Sequence, residues 1–293
     1  MHTCVSALPC PGLREYVRAF AQREISSSAP DIVRPVPANL DSTLQLDFGN
    51  STIVEYVNGL SEVASSIAII GPHTYRRCQI RLSGPIQSFG VFFQPLGLWR
   101  LFRIPMGLLV NQAYRAEFLL GNGVWSLWQR MAESVTFEER VHLAEKYLLD
   151  RVADICTKTQ IVSSALHILH CQGGQSVVSL AGHAGLSVRQ FERRFSNEIG
   201  MSPKLFARIA RYQTALDSKL ASPGRSWLEI AHNCGYHDQM HMIKDFQILS
   251  GYSPGAILLE LGDMRPALWM PLLTSGENRG LALQTESLQR FGS

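Results

Sequence analysis

The sequence predicts an α+β chain: a β-barrel or β-sandwich first, then an all-α region with two helix-turn-helix units. Three observations predict it. Between Ile32 and Phe93, short runs alternate apolar and polar residues. Gly49-Asn50, Asn58-Gly59, Gly71-Pro72 and Gly84-Pro85 split them, as turns split half-buried strands. From Val177 to Pro254 the chain repeats itself. Ala181, Gly185, Phe195, Gly200 and Ser202-Pro203 are followed by Ala231, Gly235, Phe246, Gly251 and Ser253-Pro254, with only the middle segment one residue longer in the second copy. Finally, 293 residues that are 46% hydrophobic suffice for two cores. The expected division is 1–150, 151–260 and a weakly patterned tail, 261–293, part of which is expected to be disordered.

Leu13 to Ile25 reads as a helix or an extended entry segment with Tyr16, Val17 and Phe20 on its apolar side, and Ser26 to Pro30 as a loop. Five strand-like runs follow: Thr43–Phe48, Ser51–Val57, Ser66–Ile70, Arg77–Leu82 and Ser88–Phe93. Helical periodicity returns near Gly97. An amphipathic helix runs from the Thr136–Glu139 cap region to about Val152, and its Val141–Val152 face can serve a core or a dimer.

In the first repeat, Ser176 caps a helix bearing Val177, Leu180, Ala181 and Ala184, and Gly185 permits the turn. Ser187 and Gln190 form a capping box for the next helix. Phe191 and Phe195 anchor it, while Arg189, Glu192, Arg193 and Asn197 are left to other sides. Ser202 and Pro203 start a third helix, which Leu205, Ile209, Tyr212, Leu216 and Leu220 carry over roughly 27 Å. In the second repeat, Ser226 and Glu229 form a capping box, Gly235 turns the chain and Asp238 caps. Met242 and Phe246 anchor the last helix, and Gln239, Met240, Ile243 and Lys244 face outward. An outward Ile243 suits a thymine methyl better than water.

On these residues, about Ile155 to Glu260 resembles the DNA-binding domain of AraC/XylS-type transcription regulators. The resemblance is carried by Leu186–Phe195 with Gly200–Pro203, and by Glu229–Ala231, Cys234–Tyr236, His237–His241 and Gly251–Pro254. The chain departs from the family pattern at Met242, where Phe is usual, and at Asp245, an acid in the second recognition helix. The first half is similar to a cupin-like sensor domain in a subset of that family. There the match lies in Arg34–Ala38, Gly71–Thr74, Val91–Gly97, Leu101–Pro105 and Asn111-Gln112. The resemblance implies a sequence-specific transcription regulator, not an enzyme. Arg189, Glu192 and Arg193 would read one major-groove segment, and Gln239, Met240, Ile243 and Lys244 the next. Ser187, Ser226, Lys204, Arg208 and Arg211 are candidate phosphate contacts.

Tyr75, Phe89, Phe92, Phe93 and Trp99 are candidates for an effector pocket, with barrel core as the alternative use. Arg76, Arg77 and Arg81 either meet an anionic effector or form a solvated face. Only His2 and His73 precede residue 142, too few imidazoles for a metal-binding cupin, and no cofactor is expected. His237 and His241 lie four apart as zinc ligands do, but nothing nearby completes a site. The six cysteines form no CxxC pair, so free thiols are expected; Cys78 and Cys171 are the candidate oxidant sensors. The net charge of +3 arises in 155–260, with 10 basic against 7 acidic residues, while 1–154 balances 14 against 14. That excess predicts a shallow salt dependence. No signal sequence or run of about 20 apolar residues occurs, so a cytoplasmic chain without membrane contact is expected. The candidate partners are double-stranded promoter DNA, a small-molecule effector, a second copy in a homodimer and RNA polymerase if the protein activates. The competing reading is a ligand-binding or isomerase-like barrel with a degenerate helical interaction module, and a DNA-binding test separates the two.

Overall fold

The computed structural model describes residues 2–26, 28, 30–152, 161, 164, 168 and 176–261. Ten strands occupy its first part: β1 His2–Ala7, β2 Val17–Ile25, β3 Ile32–Val36, β4 Thr43–Asp47 and β5 Ile53–Tyr56. They continue as β6 Ser61–Val63, β7 Ile67–Ile70, β8 Cys78–Leu82, β9 Ile86–Phe93 and, after α1 (Gly97–Phe102), β10 Ala113–Arg115. The region from Tyr16 to Ile25, which the sequence left open, is mainly strand. Tyr16, Val17 and Phe20 are buried there because β2 lies between β1 and β9 inside the larger sheet.

All pairings are antiparallel. A six-stranded sheet has the order β1-β2-β9-β4-β7-β10, and a four-stranded sheet the order β3-β8-β5-β6. The main apolar core of this part does not lie between them. Phe20, Leu44, Leu46, Phe89, Val91 and Phe93 alternate onto the outer face of the larger sheet, where three further helices cover them: α2 Ala116–Leu120, α3 Gly123–Glu133 and α4 Phe137–Val152. Ala144 and Leu148 of α4 are fully buried in that cluster, with Val141, Leu143, Tyr147 and Val152 packed against it. The face of α4 that could have served a dimer is therefore the inner wall of this domain.

The second part is helical, and its helices assemble around Phe191, Phe195, Phe206, Tyr212 and Phe246. Ala38 and Leu96 of the first part are buried in the same cluster, so the two parts share a packed boundary. Gly200 shows how close that boundary is. Its φ is +88°, and a Cβ there would come within 2.8 Å of the Met106 backbone and the Val110 side chain. Among the described residues, no helix is long and apolar enough to cross a membrane. Cys171 and the tail beyond Leu261, both considered above, lie outside the described residues.

Candidate nucleic-acid interface

Each repeat folds as two short helices around a glycine turn. The first comprises α5 Val177–His183 and α6 Val188–Ile199. Gly185 joins them at φ +65°, a left-handed conformation that a side chain would strain. Ser176 Oγ accepts the Ser179 N–H, and Ser187 and Gln190 complete the reciprocal capping box. The linker α7, Pro203–Ala221, begins with Ser202 Oγ accepting the Leu205 N–H and with Pro203 in the first turn. Its 19 residues extend about 28 Å at 1.5 Å each.

The second repeat comprises α8 Trp227–Asn233 and α9 Gln239–Ser250, joined through Gly235 at φ +70°. Ser226 Oγ accepts the Glu229 N–H at 3.2 Å, so half of the expected capping box forms. The Glu229 carboxylate instead pairs with Arg225 at 3.2 Å, one turn back on the exposed side. Asp238 Oδ1 accepts the His241 N–H at 2.7 Å and caps α9. That bond, with the neighbouring His237, holds the Asp238 carboxyl below its ordinary pKa. A Pro254–Leu261 helix, α10, follows.

On α6, Phe191, Phe195 and Ile199 are buried, and Ser187, Arg189, Glu192, Arg193 and Asn197 are exposed, as is Arg194. On α9, Met242, Phe246 and Leu249 are buried. Met240 and Lys244 are exposed and Gln239 and Ile243 half-buried. Met240 is 71% exposed, large for an apolar side chain. The outward face of α6 is thus polar and that of α9 mixes polar with apolar side chains, surfaces able to hydrogen-bond base edges and, on α9, to touch thymine methyls.

Asp245 does not lie on that face. It is 2% exposed, and Arg208 of α7 donates to its Oδ1 from Nε at 2.7 Å. The acid that the sequence placed in the second recognition helix therefore fastens that helix to the linker. The same pair engages Arg208, and Arg211 is half-buried with its guanidinium 5.3 Å from the Tyr236 ring centre. Lys204 is exposed. The hydroxyls of Ser187 and Ser226 are occupied as caps. Tyr236 and His241 stack edge-on at 5.5 Å, with His237 exposed against Asp238. Among the described residues no group of three His, Cys, Asp or Glu side chains could hold a metal ion.

A cavity of about 540 Å³ opens between the two sheets. Of the five aromatic residues singled out in the sequence, Phe92 lines it. Phe89 and Phe93 point to the opposite face of the same sheet, because strand residues alternate. Trp99 packs between the two cores, and Tyr75 is exposed. Of the three basic residues, Arg77 lines the cavity. Arg81 alternates outward to pair with Glu55 at 2.7 Å, and Arg76 lies 4.8 Å over the Tyr252 ring of the helical part. The wall includes residues not offered above as pocket candidates: Arg23, Arg34, Asn39, Thr43, Gln45 and His73. For Thr43 and Gln45 the signal was polar residues at every second position of a strand whose other positions are large and apolar, Thr43-Leu44-Gln45-Leu46-Asp47. His73 is buried, and burial, then the nearby Arg77, lowers its pKa to about 4, so the ring is neutral at pH 7.

Residues 180–259 match the family described as "Helix-turn-helix domain", and residues 6–115 match "Domain of unknown function (DUF6597)". No curated protein matches the chain. The crystal structure of ToxT from Vibrio cholerae O395 is similar at a TM-score of 0.47 and 11% identity, covering 84% of this chain and 99% of that one. Unsaturated fatty acid-bound wild-type ToxT from Vibrio cholerae strain SCE256 is similar at 0.42 and 8%, covering 89% and 94%. The AraC-like transcriptional activator CuxR gives 0.24 and 13%, covering 71% and 74%.

Proposed function

Because residues 180–259 are an AraC-type helix-turn-helix domain, we propose that this DNA-binding regulator reads two successive major-groove segments, one with each recognition helix. The observation that carries the reading is the paired, capped geometry: α6 and α9, each with a buried aromatic anchor and an outward polar face, joined by the rigid α7. Arg189 and Arg193 supply bidentate donors suited to guanine, Gln239 suits adenine, and Met240 and Ile243 offer apolar contact to thymine methyls. Lys204 is the best placed of the phosphate candidates, since Arg208 and Arg211 already have partners within the domain.

The cavity between the sheets supports a second part of the reading, modulation by a small-molecule effector. A volume of about 540 Å³ falls within the range of small-ligand sites. Target selection from fragmented genomic DNA tests the DNA reading. The full chain should enrich a small set of fragments at low salt, and the double variant Arg193→Ala/Lys244→Ala should not. Indiscriminate recovery of unrelated fragments by both proteins would contradict the proposal.

A further inference from the structure

The space between the sheets is lined unlike a core. The larger sheet turns Arg23, Thr43 and Gln45 toward it and, apart from Ile70 and Phe92, its large apolar residues away. Thr52 and His73 are 4% and 8% exposed and line the cavity, yet neither Thr52 Oγ1 nor His73 Nδ1 has a hydrogen-bond partner among the described residues. Buried polar atoms are ordinarily paired, so these two are groups that a bound polar molecule would satisfy. Val36, Val54, Ile70, Ile80 and Phe92 supply an apolar bed beside them.

The charges around the cavity are mostly balanced. Asp41 pairs with Arg18, Arg115 with Glu117 at 3.6 Å, and Asp47 offsets Arg23, whereas Glu62 accepts from the neutral Tyr56 hydroxyl and keeps its charge. Two cations are left over against that one carboxylate, a net positive balance. Arg34 donates only to the carbonyl of Val33, and Arg77 lies 5.3 Å over the Tyr56 ring; neither has a carboxylate partner among the described residues.

One extended segment borders both this cavity and the reader. Pro37, Asn39 and Asp41 line the cavity, whereas Ala38 and Leu40, between them, pack against the helical core. The Ala38 N–H donates to the Leu249 carbonyl at 2.9 Å, in the last turn of α9, and the Leu40 N–H donates to Gln213 Oε1 of α7 at 3.1 Å. Asn39 and His73 exchange backbone bonds at 2.8 and 2.9 Å, tying the segment to the buried imidazole.

Building on the effector reading, we infer that the cavity binds a small organic anion at Arg34 and Arg77, and that residues 37–41 carry its occupancy to the second recognition helix. The alternation couples the two. Displacing Pro37, Asn39 or Asp41 moves the intervening amides, which hold Leu249 and Gln213. Coupling of this kind needs a ligand that favours one arrangement of the segment over another.

The test uses the full chain and two dyes of nearly the same body, anionic 8-anilinonaphthalene-1-sulfonate and neutral N-phenyl-1-naphthylamine. The wild type should bind the sulfonate saturably and at least tenfold more tightly than the neutral dye. Arg34→Gln/Arg77→Gln should erase that preference, and Arg34→Lys/Arg77→Lys should retain it. Ala68→Trp, which fills the cavity, should abolish both signals. Hydrogen exchange at the Ala38 and Leu40 amides should change on sulfonate binding in the wild type and not in Ala68→Trp. Equal affinity for the two dyes, or binding that survives Ala68→Trp, would overturn the anion site, and unchanged exchange would overturn the coupling. Near-UV circular dichroism confirms that each variant is folded. No readout involves DNA, so a failure here leaves the DNA reading standing, and a failed DNA selection leaves this site standing.

Discussion

Asp245 and Arg208 decide how the second recognition helix is held. Removing one member of a buried pair strands the other, and such changes cost on the order of 3–5 kcal/mol when both are desolvated. Arg208 is about one-third exposed, which discounts the figure. Asp245→Ala should therefore destabilise the protein by roughly 1–3 kcal/mol in urea unfolding, and Arg208→Ala should leave the salt slope of DNA binding unchanged. A slope lower by about one charge would instead mark Arg208 as a phosphate contact. Arg193 is exposed on α6. Arg193→Ala should cost ~1–3 kcal/mol of binding and relax the preference at one base position in competition assays. An equal loss on every sequence would assign it to the backbone. His73 sets a pH dependence. Its folded pKa of about 4 lies below the unfolded value near 6.5, so the unfolded chain takes up a proton that the folded chain refuses. This penalty is absent above pH 6.5 and grows as pH falls toward 4. Relative to His73→Asn, the wild type should lose about 2 kcal/mol of stability between pH 7 and pH 5. Parallel stability curves for the two proteins would contradict the buried neutral imidazole.

At the scale of elements, caps and turns made the helical half legible. Ser176, Ser187, Ser202, Ser226 and Asp238 all cap helices where the sequence puts them, and Gly185 and Gly235 take the positive φ that the tight turns demand. These are local rules, satisfied within four residues, and so they can be read without the fold. Ser187→Ala should cost about 1 kcal/mol of stability and weaken the first recognition helix, measurable by thermal unfolding. Less was legible where side chains choose between two long-range partners. Phe89 and Phe92 both read as barrel aromatics, but only the register of β9 against β4 and β2 sends Phe92 into the cavity and Phe89 behind the sheet. Asp245 likewise sits in an outward-looking sequence context, and its burial depends on Arg208, 37 residues earlier.

For the whole molecule, two cores share a boundary at Ala38, Leu96 and the close approach of Gly200 to Met106, so the β part meets the C-terminal ends of both recognition helices. On the proposed reading, α6 and α9 reach successive turns of the groove on one face of the duplex in a single rigid geometry. It is tested most directly by hydroxyl-radical footprinting on a selected site and on the same site with five or ten base pairs inserted between its halves. Two protected segments about one helical turn apart, near 10 base pairs, are expected, and loss of one of them with either insertion, since the rigid linker cannot follow a half-site rotated by five pairs or moved a full turn by ten. A footprint with both segments intact after either insertion would contradict it, because the two helices would not then be reading the duplex as one rigid unit.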